Sequence, residues 1–392
     1  MGIRRLEISG YRSLADVVWE PGPLNLLIGA NGSGKSNLLR ALNLLRAAME
    51  GKLSETVLRA GGMVPILWDG RTHSIHIGIM ADNPAKSDGK STLTYHLKLE
   101  QVGHSGSFII TNESVLATIN SGQNELSLLS RIGNNAEVYT DVLEHATFIE
   151  PLITNERESA LSQIIYDTVN NEISQFRGQL SEIRVYHDVR VDTDSEIRRA
   201  AVTRLEEKID QDGANLVAVL HTLYSSERTF REDLNMAMRA AFGEEFEELI
   251  FPPAEDGRVQ LRLRWRSLKH AQSAADLSDG TLRFLFLITV LANPIAPSLI
   301  AIDEPETGLH PSMFPIVAEY AIEAAKRTQV ILTTHSPQFL NAFSEFPDIT
   351  TVAESHEGKT VLRRLPADKL ARWLEHYQLG ELMVSGELET ME

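Results

Sequence analysis

Leu24-Asn25-Leu26-Leu27-Ile28, followed by Gly29-Ala30-Asn31-Gly32-Ser33-Gly34-Lys35-Ser36, decides the fold class. The first five residues read as a strand apolar enough to be buried on both faces. The next eight match G-x-x-x-x-G-K-[ST], the pattern of a phosphate-binding loop. Beyond them Leu38, Leu39, Leu42 and Leu45 fall on one face of a helix. In a strand, glycine turn and helix of this kind, backbone N–H groups and a helix N-terminus converge on a polyphosphate. Lys35 then reaches its terminal phosphates and the Ser36 hydroxyl ligates Mg²⁺. Gly29, Ala30, Asn31, Gly32, Ser33, Gly34, Lys35, Ser36 and the adjoining Asn37 form the candidate cradle.

Moving outward, three more apolar strands recur at Leu299–Ile302, Gln329–Leu332 and Thr350–Val352, with a helical segment near 311–327. That order predicts βαβ units and a mainly parallel core sheet. The first of these strands ends in Asp303-Glu304-Pro305. In a phosphate-loop enzyme the first carboxylate holds Mg²⁺ and the second polarises the attacking water as a general base. The next strand runs into Thr333-Thr334-His335-Ser336-Pro337, and a histidine at the carboxyl end of a parallel strand can meet a terminal phosphate or that water.

Between these segments the pattern changes. Residues 3–9 read as a strand, and Ser74 to Thr140 alternates in short runs broken by Asn, Gly, Ser and Asp, an inserted antiparallel sheet. Residues 156–180 and 196–249 read as helices. From Val259 to Trp265 alternation returns and sets Arg258, Arg262, Arg264 and Arg266 on one face, which either tracks a nucleic-acid backbone or pairs with acidic residues. Leu277-Ser278-Asp279-Gly280-Thr281 precedes an apolar helix over 282–292. By itself it is an N-cap, and its N–H groups also make an anion site.

With 37 basic and 54 acidic residues among 392, the net charge is −17, and −5 with all 12 histidines protonated. That balance excludes a generic DNA-coating protein, although a local basic groove is compatible with it. No cysteine is present, which excludes disulfides, thiolate zinc sites and thiol catalysis. Residues 284–302 carry no charge, but Asn293-Pro294 and Pro297 break the run into a helix and a strand. No signal peptide opens the sequence, and the expected location is the cytoplasm, without a membrane.

Together these motifs resemble the ABC-type ATPase heads of the RecF/SMC/overcoming-lysogenization-defect group, stand-alone bacterial "AAA family ATPases" above all. The likeness rests on Ile8 to Leu14 (I-x-G-Y-R-S-L), Leu277 to Thr281 (L-S-D-G-T), Asp303 to Pro311 (D-E-P-E-x-G-L-H-P) and Thr334 to Pro337 (T-H-S-P). It implies an α/β P-loop NTPase head with a mainly parallel core sheet, an inserted antiparallel β-subdomain and a helical lobe. It further implies ATP and Mg²⁺ as cofactors, and a head-to-head homodimer with two composite sites. In that dimer Ser278, Asp279 and Gly280 complete the partner's ATP site, Lys35, Glu304 and His335 carry hydrolysis, and Ser36 and Asp303 hold the metal. Arg12 is expected to approach the nucleotide, and Gln163 to be the Q-loop glutamine near Mg²⁺. The whole chain, 1–392, is expected to be a single head. Its nucleotide-binding lobe is 1–155 plus 293–365 (β insertion about 70–150), its mainly helical lobe 156–292, and its helical tail 366–392. Asp279 stands where transporter subunits carry glycine, and Thr307-Gly308-Leu309-His310 replaces their S-A-L-D loop, so a transporter is not expected. Any nuclease or toxin activity is expected from a separate effector protein, and DNA is a possible partner.

Overall fold

The computed structural model describes residues 2–390 apart from 70, 87–89, 104–105, 120–123, 141–146, 150–152, 165–169, 188, 366–369, 371–372 and 375–376. Its contacts divide into two compact units, Met1–Val185 with Thr351–Arg364, and Tyr186–Thr350 with Leu365–Glu392.

In the first unit the strand Leu24–Ile28 is buried at every position. Asn25, its one polar residue, is satisfied locally: its amide donates to Gly22 O and its oxygen accepts from Gly22 N, each at 2.8 Å. The helix Lys35–Glu50 buries Leu38, Leu39, Leu42 and Leu45 as the spacing predicts, and ends on Gly51 in the left-handed region. Each fully buried leucine contributes about 1.5–3 kcal/mol, so truncating Leu42 to alanine costs about 2–5 kcal/mol. The inserted β-subdomain is an antiparallel eight-stranded sheet. The N-terminal hairpin Ile3–Tyr11 and Leu14–Trp19 forms one end of it, followed by Ser74–Asp82, Thr92–Gln101, Phe108–Ile119, Asn124–Ile132, Asn135–Thr140 and Thr147–Ile149. A second hairpin, Thr350–His356 with Lys359–Arg364, returns late in the chain.

In the second unit Leu299–Asp303 and Gln329–Thr334 pair in parallel, Leu299 opposite Gln329 through Asp303 opposite Thr333. The crossover helix Phe314–Ala324 buries Phe314, Val317, Ala318, Ala321 and Ala324, one face at helical spacing. Register thus places the acidic pair and the threonine–histidine run at the same end of adjacent strands. The uncharged run divides as expected between the end of the helix Asp279–Ala292, which is buried over nearly its whole circumference, and the strand Leu299–Asp303. Among the described residues no helix is long and apolar enough to cross a membrane.

Two helical expectations change. Residues 196–249 hold α-helices only at Leu216–Ser226 and Arg228–Phe242, with single 3-10 turns at Glu196–Arg198 and Gly243–Glu245. Upstream of these, Asn215 accepts from Asp210 N (2.9 Å) and donates to Lys208 O (3.0 Å), side-chain bonds that compete with a helical backbone. Over 156–180 the described helices are Ala160–Gln163 and Asn171–Ser181, and 165–169 lie outside the described residues. In the expected tail, Leu379–Val384 and Glu387–Thr390 are helical, and 366–369, 371–372, 375–376 and 391–392 lie outside the described residues.

Candidate nucleotide site

In the first unit the phosphate loop presents Ala30, Asn31 and Gly32 to solvent and buries Ser33, Gly34 and Lys35. No side chain caps the helix that begins at Lys35. A helix N-terminus without a side-chain cap carries partial positive charge that favours an anion. Gly34 has φ +101°, and a Cβ there would collide with the Thr360 hydroxyl and lie 2.7 Å from Ser13 Oγ. Lys35 Nζ donates to the carbonyls of Gly29 (2.7 Å) and Ala30 (3.1 Å), which holds the ammonium inside the loop. Ser33 Oγ is buried and finds no partner among the described residues. An uncapped helix start, a buried ammonium and an orphaned hydroxyl within one glycine loop fit a polyphosphate.

The turn of the N-terminal hairpin lies on this loop. Asn37 Nδ2 donates to Ser13 Oγ at 2.8 Å, Ser13 Oγ bonds Thr360 Oγ1 at 2.7 Å, and Thr360 Oγ1 donates to Ser33 O at 2.9 Å. Arg12, beside Ser13, has φ +48° and carries a buried Nε that lacks a partner among the described residues. The structure thus ties Asn37 and Ser13, the neighbour of Arg12, to the loop, and neither Ser13 nor Thr360 was singled out from sequence.

Gln163 is engaged locally. Its carbonyl oxygen accepts from Thr154 N, Thr154 Oγ1 and Asn155 N at 2.9–3.0 Å, and its amide donates to Asn155 O and Glu158 O at 2.9 Å. The short helix that ends in Gln163 is fixed by a buried pair, Arg131–Glu113 (3.3 Å), whose side chains are 0% exposed. Glu113 accepts from Ser159 Oγ (2.5 Å), Ala160 N (2.8 Å) and Tyr95 OH (3.0 Å). Arg131 donates to Glu158 O (2.7 Å) and Gly133 O (2.7 Å). Every one of these donors and acceptors is matched, the condition under which a buried ion pair is tolerated.

In the second unit the Thr333 hydroxyl sits between the two carboxylate residues. It donates to Asp303 Oδ1 and accepts from the Glu304 N–H at 3.1 Å. Glu304 has φ +48°, an uncommon conformation for a residue with a Cβ. Its Oε1 lies 2.9 Å from His335 Nδ1. A carboxylate only accepts, so that contact puts the ring proton on Nδ1 and turns Nε2 outward. The other oxygen of Asp303 pairs with His187 Nδ1 at 2.5 Å. The sequence signal for His187 was the one used for His335, a histidine directly after an apolar strand, here Ile183–Tyr186. Buried behind these groups, Glu306 accepts from Thr334 Oγ1 at 2.5 Å, and its second oxygen finds no partner among the described residues. Burial pushes the Glu306 carboxyl above its ordinary range, against the pull of the Thr334 bond. Among the described residues no group of three or more His, Asp or Glu could hold a metal by itself.

The signature segment belongs to the same unit. Ser278 caps the helix Asp279–Ala292 by accepting from Thr281 N at 3.1 Å, and Ser278 and Asp279 are exposed. Gly280 has no room for a side chain, because a Cβ would come within 2.8 Å of Gly308 O. The arginine run is committed elsewhere: Arg264 pairs with Glu248 (3.0 Å), Arg266 with Glu244 (3.2 Å), Arg262 with Gln260 (2.9 Å) and Arg258 with Ala200 O (3.2 Å).

Comparison with known proteins bears on the fold and the family. An OLD nuclease of Thermus scotoductus is 22% identical over 369 residues, 92% of this chain. The chain spans 63% of that relative's length. The DNA replication and repair protein RecF of Pseudomonas entomophila is 47% identical over 49 residues, 12% of this chain and 13% of RecF. Among solved structures, an Smc head bound to the C-winged-helix domain of ScpA superimposes with a TM-score of 0.60 at 14% identity, covering 94% of this chain and 99% of that one. An Smc head with an extended coiled coil, bound to the C-terminal domain of ScpA derived from Pyrococcus furiosus, gives 0.54 at 14% identity over 95% and 98%. These likenesses show the fold, an α/β P-loop ATPase head of the SMC type with an antiparallel subdomain. Residues 24–341 match the family described as "AAA domain, putative AbiEii toxin, Type IV TA system", and the chain belongs to that family of P-loop ATPases.

Proposed function

We propose that the protein binds ATP with Mg²⁺ and hydrolyses it to ADP and phosphate, working as a switch that dimerises head to head on ATP and separates after hydrolysis. The observation that carries this reading is the Glu304–His335 pair at 2.9 Å beside a Thr333-anchored Asp303. It supplies a proton acceptor, an orienting histidine and a metal-binding carboxylate at the ends of two adjacent parallel strands. In this reading Lys35 and the loop N–H groups hold the phosphates, and Ser36 and Asp303 hold the metal. Glu304 takes the proton of the attacking water, and His335 fixes the Glu304 carboxylate. Bound Mg²⁺ supplies charge neutralisation at the terminal phosphates. Arg12 is retained as the residue expected to approach the nucleotide, and Gln163 as the glutamine expected near Mg²⁺. The expected lobes, 1–155 with 293–365 and 156–292, are kept as the functional division.

The cellular role we propose is the ATPase component of a bacterial anti-phage defence or DNA-maintenance system, acting with a separate nuclease or toxin effector. Family membership and the OLD nuclease relative support it. A clamp acting directly on DNA is less favoured, because Arg264 and Arg266 are paired with glutamates. The decisive experiment is Glu304→Gln. ATP binding should persist, phosphate release should fall by about 10²–10⁴-fold, and the ATP-bound dimer should accumulate in sedimentation. Near-normal phosphate release would move the base elsewhere.

A further inference from the structure

Directly behind the exposed signature turn lies a buried arginine that no motif announces. The Arg198 side chain is 7% exposed, and its guanidinium is fully engaged. Nε donates to Val191 O (2.8 Å) and Asp192 O (3.1 Å). Nη1 donates to Ala274 O (3.2 Å), Ala275 O (3.1 Å) and Leu277 O (2.7 Å), and Nη2 to Asp279 Oδ1 (2.5 Å). The single 3-10 turn Ala274–Asp276 leads straight into Ser278, the cap of the signature helix. Three carbonyls of this lead-in therefore converge on one side chain. A planar fork of donors can satisfy them together with a carboxylate, whereas a lysine ammonium, with three donors at one point, cannot. Among the described residues the buried charge has Asp279 as its one acidic partner, and the Asp279 side chain is 64% exposed.

We propose that Arg198 is a positioning residue that sets the Ser278 hydroxyl and the helix-start N–H groups for the nucleotide of a partner subunit. Asp279 serves Arg198 within its own subunit, which accounts for an acidic residue where transporter signatures have glycine. The proposal rests on the composite-site reading above. It predicts that Arg198 acts in trans, in the opposite site from the one its own P-loop builds.

The test is complementation between variants. Arg198→Gln should leave ATP affinity, measured by calorimetry, within about twofold, since the phosphate loop is unaltered. It should weaken ATP- and Mg²⁺-dependent dimerisation more than tenfold in sedimentation. Mixed with Lys35→Ala subunits it should regain an ATP-dependent heterodimer and part of the phosphate release, because one site of that pair combines an intact loop with an intact signature. Ser278→Arg mixed with Lys35→Ala is the control pair. Rescue in both pairs is the expected result. Rescue in the control pair alone means that Arg198 only supports the fold, which overturns the inference and leaves the composite site standing. Rescue in neither pair overturns the composite site and the inference with it. Should Arg198→Gln not fold, Asp279→Ala should weaken dimerisation several-fold and be rescued by the same mixing. Asp279→Asn, which still accepts from Nη2, should weaken dimerisation less than Asp279→Ala does, and equal effects of the two substitutions would overturn the proposal.

Discussion

Replacing Thr333 by valine removes one hydroxyl and little volume, which makes it the sharpest probe of the carboxylate pair. Thr333 is fully buried, so water cannot take the hydroxyl's place. Two bonds are lost, one to the Asp303 carboxylate and one from the Glu304 N–H. A bond to a charged group is worth about 1.5–3 kcal/mol and a neutral one about 0.5–1.5, together roughly 2–4.5 kcal/mol. For a unit of this size, at about 2–4 °C per kcal/mol, that lowers the thermal midpoint by about 4–18 °C. Glu304 also loses the contact that holds its φ at +48°, a conformation that stores roughly 1–3 kcal/mol. Its carboxylate should then drift from His335, and kcat for phosphate release should fall about ten- to hundredfold, taking 1.36 kcal/mol per decade. ATP affinity should hold, because the phosphate loop is untouched. Steady-state phosphate release, differential scanning calorimetry and nucleotide titration read the three quantities separately. A valine variant with unchanged midpoint and kcat would refute the claim that Thr333 anchors both carboxylate residues.

Lys35→Ala should lose most ATP binding in titration calorimetry, because it deletes the ammonium held at Gly29 and Ala30; unchanged affinity would remove the P-loop assignment. Glu306 makes stability depend on pH in the less usual direction. Its folded value is raised above the ordinary 4.5, so folded protein binds more protons than unfolded chain over that window. Stability is therefore fully present below the ordinary value and is lost as pH rises through the folded one. Glu306→Gln should gain on wild type in denaturant midpoint from pH 4 to 7, and a difference that stays constant with pH would contradict this. Arg131→Met should leave Glu113 charged and unpaired in the β-subdomain, at a cost of about 3–5 kcal/mol. Denaturant titration of the double variant Arg131→Met/Glu113→Gln, which removes the charge but keeps an acceptor oxygen for Ser159, Ala160 and Tyr95, should recover much of that loss, and equal instability of both would show that the pair is not the source.

The parts of the site legible in the sequence are those whose chemistry is local. Gly34 and Lys35 lie in one loop, and Asp303 and Glu304 end one strand, so spacing alone placed them. Thr333 lay within a motif that drew attention to its histidine, and its role depends on strand register, which only pairing fixes. His187 offered the same signal as His335, but nothing in the sequence said that its strand ends near Asp303. The helix expected over 196–215 failed where Asn215 ties down the backbone from its side chain, a competition that composition does not register. Arg198 was invisible because its partners are carbonyl groups, which carry no sequence signature.

The hydrogen bonds of Thr360 have a consequence for how the chain is made. This residue meets Ser33 across 327 positions and Ser13 across 347. At a ribosomal speed of about 5–20 residues per second, Thr360 emerges roughly 15–65 s after Ser33. For that interval the nascent chain carries the buried strand Leu24–Ile28 without the hairpin that closes its unit. An apolar strand waiting that long is open to mispairing, and loop closure over such a span is slow. Folding of the nucleotide cradle is thereby coupled to synthesis of the hairpin that carries Thr360: a loop translated early becomes competent only after that hairpin has emerged.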